Sequence, residues 1–141
     1  MTKLVTVRPT ESFSIALPEG IRDQRDERVS SFWVEGKPLL LQVSSYIRTE
    51  GEQLNARERL AQRMAKHNEN WSVWKEKAHS DQFVDQATGE FLDAERCLWV
   101  HSYLVWPHLT IYVTISGPHA DVRRPDNWAI SAIRSIEVTP H

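Results

Sequence analysis

The chain has 141 residues and 16.4 kDa, 40% of it hydrophobic, with 17 Lys plus Arg against 19 Asp plus Glu and a formal net charge of -2. That is the size of one globular domain with a buried core, and a sequence pI near 6.3 gives no positive field of the kind that concentrates nucleic acid or anionic lipid. A single cysteine, Cys97, excludes an intramolecular disulfide and a multi-cysteine zinc site.

Met1 to Phe13 holds one Lys and no apolar run of signal-peptide length, and nowhere do the roughly 18 apolar residues of a membrane span occur together. The expectation is a cytoplasmic protein without membrane insertion. No repeat or linker interrupts residues 1–141, which read as a single domain.

Phe13, Ile15 and Leu17 alternate with Ser14 and Ala16 before Pro18-Glu19-Gly20, the pattern of a short strand and turn. Arg22 to Arg28 reads as a solvated loop or one helical turn. Val29 to Val34 and Leu39 to Arg48 form a hairpin around Gly36, in a register that sets Phe32 opposite Leu41, Ser30 opposite Val43, Trp33 opposite Leu40 and Ser31 opposite Gln42.

Asn55 with Glu58 three residues later is a capping box, and Ala56, Leu60, Met64 and His67 make one narrow apolar stripe of the helix that follows. Arg57, Arg59, Gln62, Arg63 and Lys66 cover the remainder, with Trp71 and Trp74 closing the edge of the core. A polar hairpin is expected over 82–93, turning at Gln86-Ala87-Thr88-Gly89. The strongest strand pair comes next, 97–106 and 109–115, with Leu104 opposite Leu109, Val100 opposite Val113 and a four-residue loop around Trp106-Pro107. Pro125 suits a first helical turn, and Trp128, Ala129, Ala132, Ile133 and Ile136 supply the face of that helix. Ile136-Glu137-Val138 reads as a last strand. The class is α+β, an antiparallel sheet of about six strands with helices packed on it.

Three passages resemble the PsbP-like fold superfamily: Phe13-Ser14-Ile15-Ala16-Leu17-Pro18-Glu19-Gly20, the hairpin around Trp106-Pro107, and Trp128-Ala129-Ile130-Ser131-Ala132-Ile133-Arg134-Ser135-Ile136. The resemblance implies a PsbP-like sandwich. That superfamily includes the extrinsic photosystem subunit PsbP, a Ran-binding nuclear-import factor and small bacterial proteins, some of them chaperones for type VI secretion effectors. It has no common catalytic residues, so the resemblance implies a protein-binding role. PsbP is exported to a lumen, whereas this N-terminus reads as carrying no targeting segment.

The candidate partner-binding surface is the reverse side of the two hairpins, Trp33, Tyr46, Trp99, His101, Tyr103 and Tyr112, with Gln42, Ser44 and Thr114. Large rings with polar tips bury much area at little cost in side-chain entropy. The opposing reading is that a helix covers this face and the rings are core. Asp81, Asp85, Glu90, Asp93 and Glu95 form an acidic patch that could attract a basic segment. Cys97 and His101 lie four residues apart, roughly 13 Å along a strand, so Cys97 reads as a buried inert thiol. His67 reads as edging the helix, His108 as lying in a turn, and His119 and His141 as solvated. Their spacing makes no metal site, and no phosphate-cradling glycine motif or nucleophile elbow occurs.

The function expected is a non-catalytic protein-binding module without a cofactor, such as a chaperone or adaptor. The alternative is a small-ligand binder or enzyme with a pocket between sheet and helices that uses His101, Tyr103 and Tyr112. A homodimer through the aromatic face is a third use of the same surface.

Overall fold

The alternation in Phe13, Ile15 and Leu17 does produce a strand. In the computed structural model, which describes residues 3–48, 55–67, 72–73 and 85–139, β2 (Phe13–Pro18) turns these three side chains inward, each almost wholly buried. It is the middle of a three-stranded antiparallel sheet, between β1 (Leu4–Thr10) and β10 (Glu137–Val138). β10 is the expected last strand. β1 was not expected, since it is mostly exposed and held by its ladder to β2, so apolar alternation does not mark it.

The second sheet has seven strands, one more than about six, in the order β3 (Arg22–Arg25), β4 (Ser30–Trp33), β5 (Leu40–Ile47), β9 (Leu109–Pro118), β8 (Cys97–Val105), β7 (Asp85–Leu92) and β6 (Ser72–Val73). Every pairing is antiparallel. β3 replaces the loop or helical turn expected at Arg22 to Arg28. All four of its residues are exposed, and a charged edge of this kind discourages pairing with another chain.

The β4–β5 register is the one read from sequence: Ser30, Ser31, Phe32 and Trp33 oppose Val43, Gln42, Leu41 and Leu40. The β8–β9 register differs by two residues, with Leu104 opposite Ile111 and Val100 opposite Ile115. Trp106 and Leu109 exchange backbone hydrogen bonds across Pro107-His108, so Pro107 takes the first central position of a tight turn, where its fixed φ is favourable. A shift of two preserves which side chains face the core, because side chains alternate with a period of two.

The expected 82–93 hairpin is also corrected. Within the described residues, 85–92 run straight as β7 along the whole of β8, and the chain turns at Asp93 to Arg96 instead. Gly89 therefore lies inside a strand rather than at a turn. Trp71, Trp74 and residues 82–84 lie outside the described residues.

Helix α1 (Ala56–His67) begins where the capping box placed it, with the Glu58 amide donating to Asn55 Oδ1 at 2.9 Å. A one-turn helix α2 (His119–Val122) follows β9 directly, and α3 (Trp128–Arg134) starts three residues after Pro125, which was expected in its first turn. Asn127 caps α3: its Oδ1 accepts from the Ala129 amide at 2.8 Å while its Nδ2 donates to the Val122 carbonyl at 3.0 Å. That second bond ties α2 to α3 and leaves Pro125 in the connection.

One face of the seven-stranded sheet meets β2, α2 and α3 through Phe32, Leu41, Val43, Val100, Val113 and Ile115 against Phe13, Ile15, Leu17, Val122, Ala129 and Ile133. Ser135 fastens α3 to the small sheet, its Oγ accepting from the Ala16 amide at 2.8 Å. The fold is thus an α+β sandwich with its main core between the two sheets.

Candidate functional site

The reverse face of the large sheet can be followed row by row across its ladders. One row runs Trp33, Leu40, Ser116, Trp99, Phe91; the next runs Ser31, Gln42, Thr114, His101, Gly89. Beyond them lie Ser44, Tyr112, Tyr103, Ala87, and then Tyr46, Thr110, Val105, Asp85.

Helix α1 packs on β7 and β8 over these last two rows. Ala56 and Leu60, with Met64 beside them, form a second core with Ala87, Tyr103, Val105 and Tyr112. Asp85 Oδ2 accepts from the Ala56 amide at 2.9 Å, so a strand carboxylate satisfies one free N-terminal donor and Asn55 another. Arg63 lies over the Tyr112 ring, 4.4 Å from its centroid, and its Nε donates to the Tyr103 hydroxyl at 3.1 Å. Burial alone would lower the Arg63 guanidinium, but the Tyr103 hydrogen bond and the neighbouring phenols outweigh it and hold it above its ordinary range.

Tyr103 and Tyr112 are therefore core rings beneath α1, their centroids 4.6 Å apart. His101 is buried as well, its Nδ1 in a short hydrogen bond with the Tyr112 hydroxyl. The two lie diagonally across the ladder, since Thr114 is the residue opposite His101. Burial pushes the Tyr112 phenol well above its usual range, with the Arg63 charge opposing. Of the six rings singled out in the sequence, these three are covered by the protein itself.

The other three have surface. Tyr46 is 45% exposed, and Trp33 and Trp99 are half-buried, as are Leu40 and Phe91 in the same row. Trp99 is held in place: its indole Nε1 donates to Asp93 Oδ2 at 3.1 Å, and Phe91 lies parallel to it at 6.3 Å and 7°. Asp93 also accepts from the Glu95 and Cys97 amides, at 2.9 Å each, closing the β7–β8 turn in which Arg96 takes a φ of 67°. The Trp99 indole first, then the Cys97 amide, holds the Asp93 carboxyl below the usual carboxylate range.

The acidic residues do not gather into one patch. Asp85 caps α1, whereas Glu90, five residues along the strand, faces the opposite side, is 5% exposed and pairs with Arg123 at 2.5 Å. Asp93 is occupied by its turn and Glu95 is exposed, while Asp81 lies outside the described residues. A straight β7 sends alternate carboxylates to opposite faces, which the expected hairpin did not. Cys97 is half-buried in β8. His108 lies in the β8–β9 turn, the His67 side chain and His141 lie outside the described residues, and His119 opens α2 half-buried.

Concavities also open among the described residues. An open cleft of about 540 Å³ lies among the β1–β2 end, the β4–β5 turn and the α2–α3 corner, with Leu4, Pro18, Val34, Leu39, Arg124 and Trp128 in its walls. A smaller pocket of about 200 Å³ lies between α1 and β5. Sequence reasoning missed the larger, whose residues come from separate segments and share no spacing; for a pocket between sheet and helices it named Tyr103, which lines the smaller, but not the α1 residues beside it. Among the described residues no helix is long and apolar enough to cross a membrane.

No protein-family profile matches the sequence, and no curated protein matches it. Among solved structures, the chain is similar to cyanobacterial PsbP (CyanoP) from Synechocystis sp. PCC 6803, with 13% identity and a TM-score of 0.73 over 99% of this chain and 94% of that one. It is also similar to a protein from Bacteroides thetaiotaomicron VPI-5482, with 13% identity and a TM-score of 0.55 over 92% of this chain and 46% of that one. The fold is PsbP-like, as the resemblance in the sequence implied.

Proposed function

We propose that this chain is a small non-catalytic protein-binding module of the adaptor or chaperone kind, which engages its partner through the row of Trp33, Leu40 and Trp99. One observation supports the reading: α1 packs over the β7–β8 side of the reverse face and leaves these rings half-exposed. A pre-ordered tryptophan suits a protein interface, because it buries a large ring while losing little freedom. Asp93 and Phe91 supply that order for Trp99. The single cysteine and the near-neutral charge fit a cytoplasmic protein partner rather than nucleic acid.

The test is affinity enrichment with wild type and with a Trp33→Ala/Trp99→Ala variant, followed by titration of the recovered partner in purified form. The reading expects the double variant to keep its fold and to lose about 10-fold or more in affinity, the scale of interface hot spots. Unchanged affinity in a folded double variant would remove the strip from the interface. A homodimer through the same strip would show as a concentration-dependent mass that the double variant abolishes.

The cleft of about 540 Å³ favours a second reading, small-ligand binding, since it falls within the usual size of such sites. Its polar groups would be Asp121, Arg124 and Asp126. His101, Tyr103 and Tyr112, which the sequence suggested for a pocket, do not line it.

A further inference from the structure

The pocket between α1 and β5 has a composition unlike the rest of this mildly acidic chain. Among the described residues its walls are Arg59, Gln62, Arg63 and Lys66 from the helix and Tyr46 and Tyr103 from the sheet, three cations and two phenols with no described carboxylate in the lining. Residues 59, 62, 63 and 66 share one stripe of α1, next to the apolar stripe that anchors the helix. Arg63 and Lys66, like charges three residues apart, repel one another in a helix, a cost that a bound anion would remove.

Arg63 is the fixed point. Stacked on Tyr112 and tied through Nε to the Tyr103 hydroxyl, it has the two terminal nitrogens of its fork without a partner among the described residues. Tyr103 accepts from Arg63 and keeps its own proton to donate. Every charged group in the lining is a donor, the arrangement that a tetrahedral phosphoryl group with several acceptor oxygens requires.

We infer that this pocket binds a phosphoryl dianion, as free phosphate or as the head of a small phosphate monoester, with Arg63 as the fork and Lys66 and Tyr46 closing on the anion. A volume of about 200 Å³ fits the phosphoryl group and little more. The inference is independent of the aromatic strip.

The test is titration of the whole ¹⁵N-labelled protein with inorganic phosphate, methyl phosphate and acetate in parallel at matched ionic strength, following the amides of residues 59–66. Saturable shifts with phosphate or methyl phosphate are expected, the tighter of the two assigning the free ion or the ester, with acetate binding at least about 5-fold more weakly. Lys66→Gln should weaken binding by about 5-fold or more, and Tyr46→Phe by about 2-fold. Both side chains lie at the surface, so thermal unfolding should hardly move. No saturation up to about 20 mM phosphate, or the same affinity in folded Lys66→Gln, or equal binding of acetate, would overturn it.

Discussion

Asp93 accepts three hydrogen bonds, from the amides of Glu95 and Cys97 and from the Trp99 indole, and so joins the β7–β8 turn to the ring proposed to meet a partner. Its carboxyl is held below the usual range, so the folded state is favoured above the unfolded carboxyl's pKa of about 3.9 and that contribution is lost as pH falls through the lower folded value. NMR titration of the Asp93 carboxyl should show the depressed value, and in Asp93→Ala the Trp99 indole N–H resonance should move while the thermal midpoint falls. Gly117 is a second sensitive position. A Cβ there would lie 2.9 Å from the Pro38 carbonyl and 3.0 Å from Leu39 Cδ2, so Gly117→Ala should cost about 1–3 kcal/mol in denaturant unfolding. At this scale the sequence was partly legible. Leu40 opposite Trp33 followed from the hairpin register, whereas Arg22 on its other side did not, and nothing in Asp93-Ala94-Glu95-Arg96 announced a turn whose left-handed residue is arginine.

Helix α1 decides which rings reach solvent. Its start was legible because Asn55 and Glu58 carry a local capping signal, while the second cap, Asp85, comes from a strand 29 residues away and has no local signature. Leu60 is its central anchor, and Leu60→Ala should cost about 2–5 kcal/mol. A helix loosened in this way should raise the accessibility of Tyr103 and Tyr112 to chemical labelling. β7 was illegible for the opposite reason: Gln86 to Gly89 has turn composition, and only pairing along β8 makes it a strand. That pairing puts Glu90 in a buried position facing Arg123. Arg123→Ala should therefore destabilise by about 1–3 kcal/mol, because it leaves a carboxylate buried alone, and adding Glu90→Gln should recover part of the loss in a double-mutant cycle.

Across the whole molecule, 13% identity to cyanobacterial PsbP accompanies overlap of nearly the full chain, so the shared architecture rests on apolar alternation and helix position rather than on particular residues. That explains why the class and sandwich could be read from Phe13 to Leu17, from the long hairpin and from Trp128 to Ile136, whereas the surface could not. The aromatic face looked continuous in one dimension. In the fold α1 divides it, burying Tyr103 and Tyr112, while His101 is buried beside them and Trp33, Trp99 and Tyr46 stay in reach of solvent. Hydroxyl-radical footprinting of the free protein, read residue by residue by mass spectrometry, tests this division most directly. The account predicts ready oxidation of Tyr46, intermediate oxidation of Trp33 and Trp99, and protection of Tyr103, Tyr112 and the buried Trp106. Labelling of Tyr103 and Tyr112 as fast as Tyr46, or full protection of Trp33 and Trp99, would contradict it.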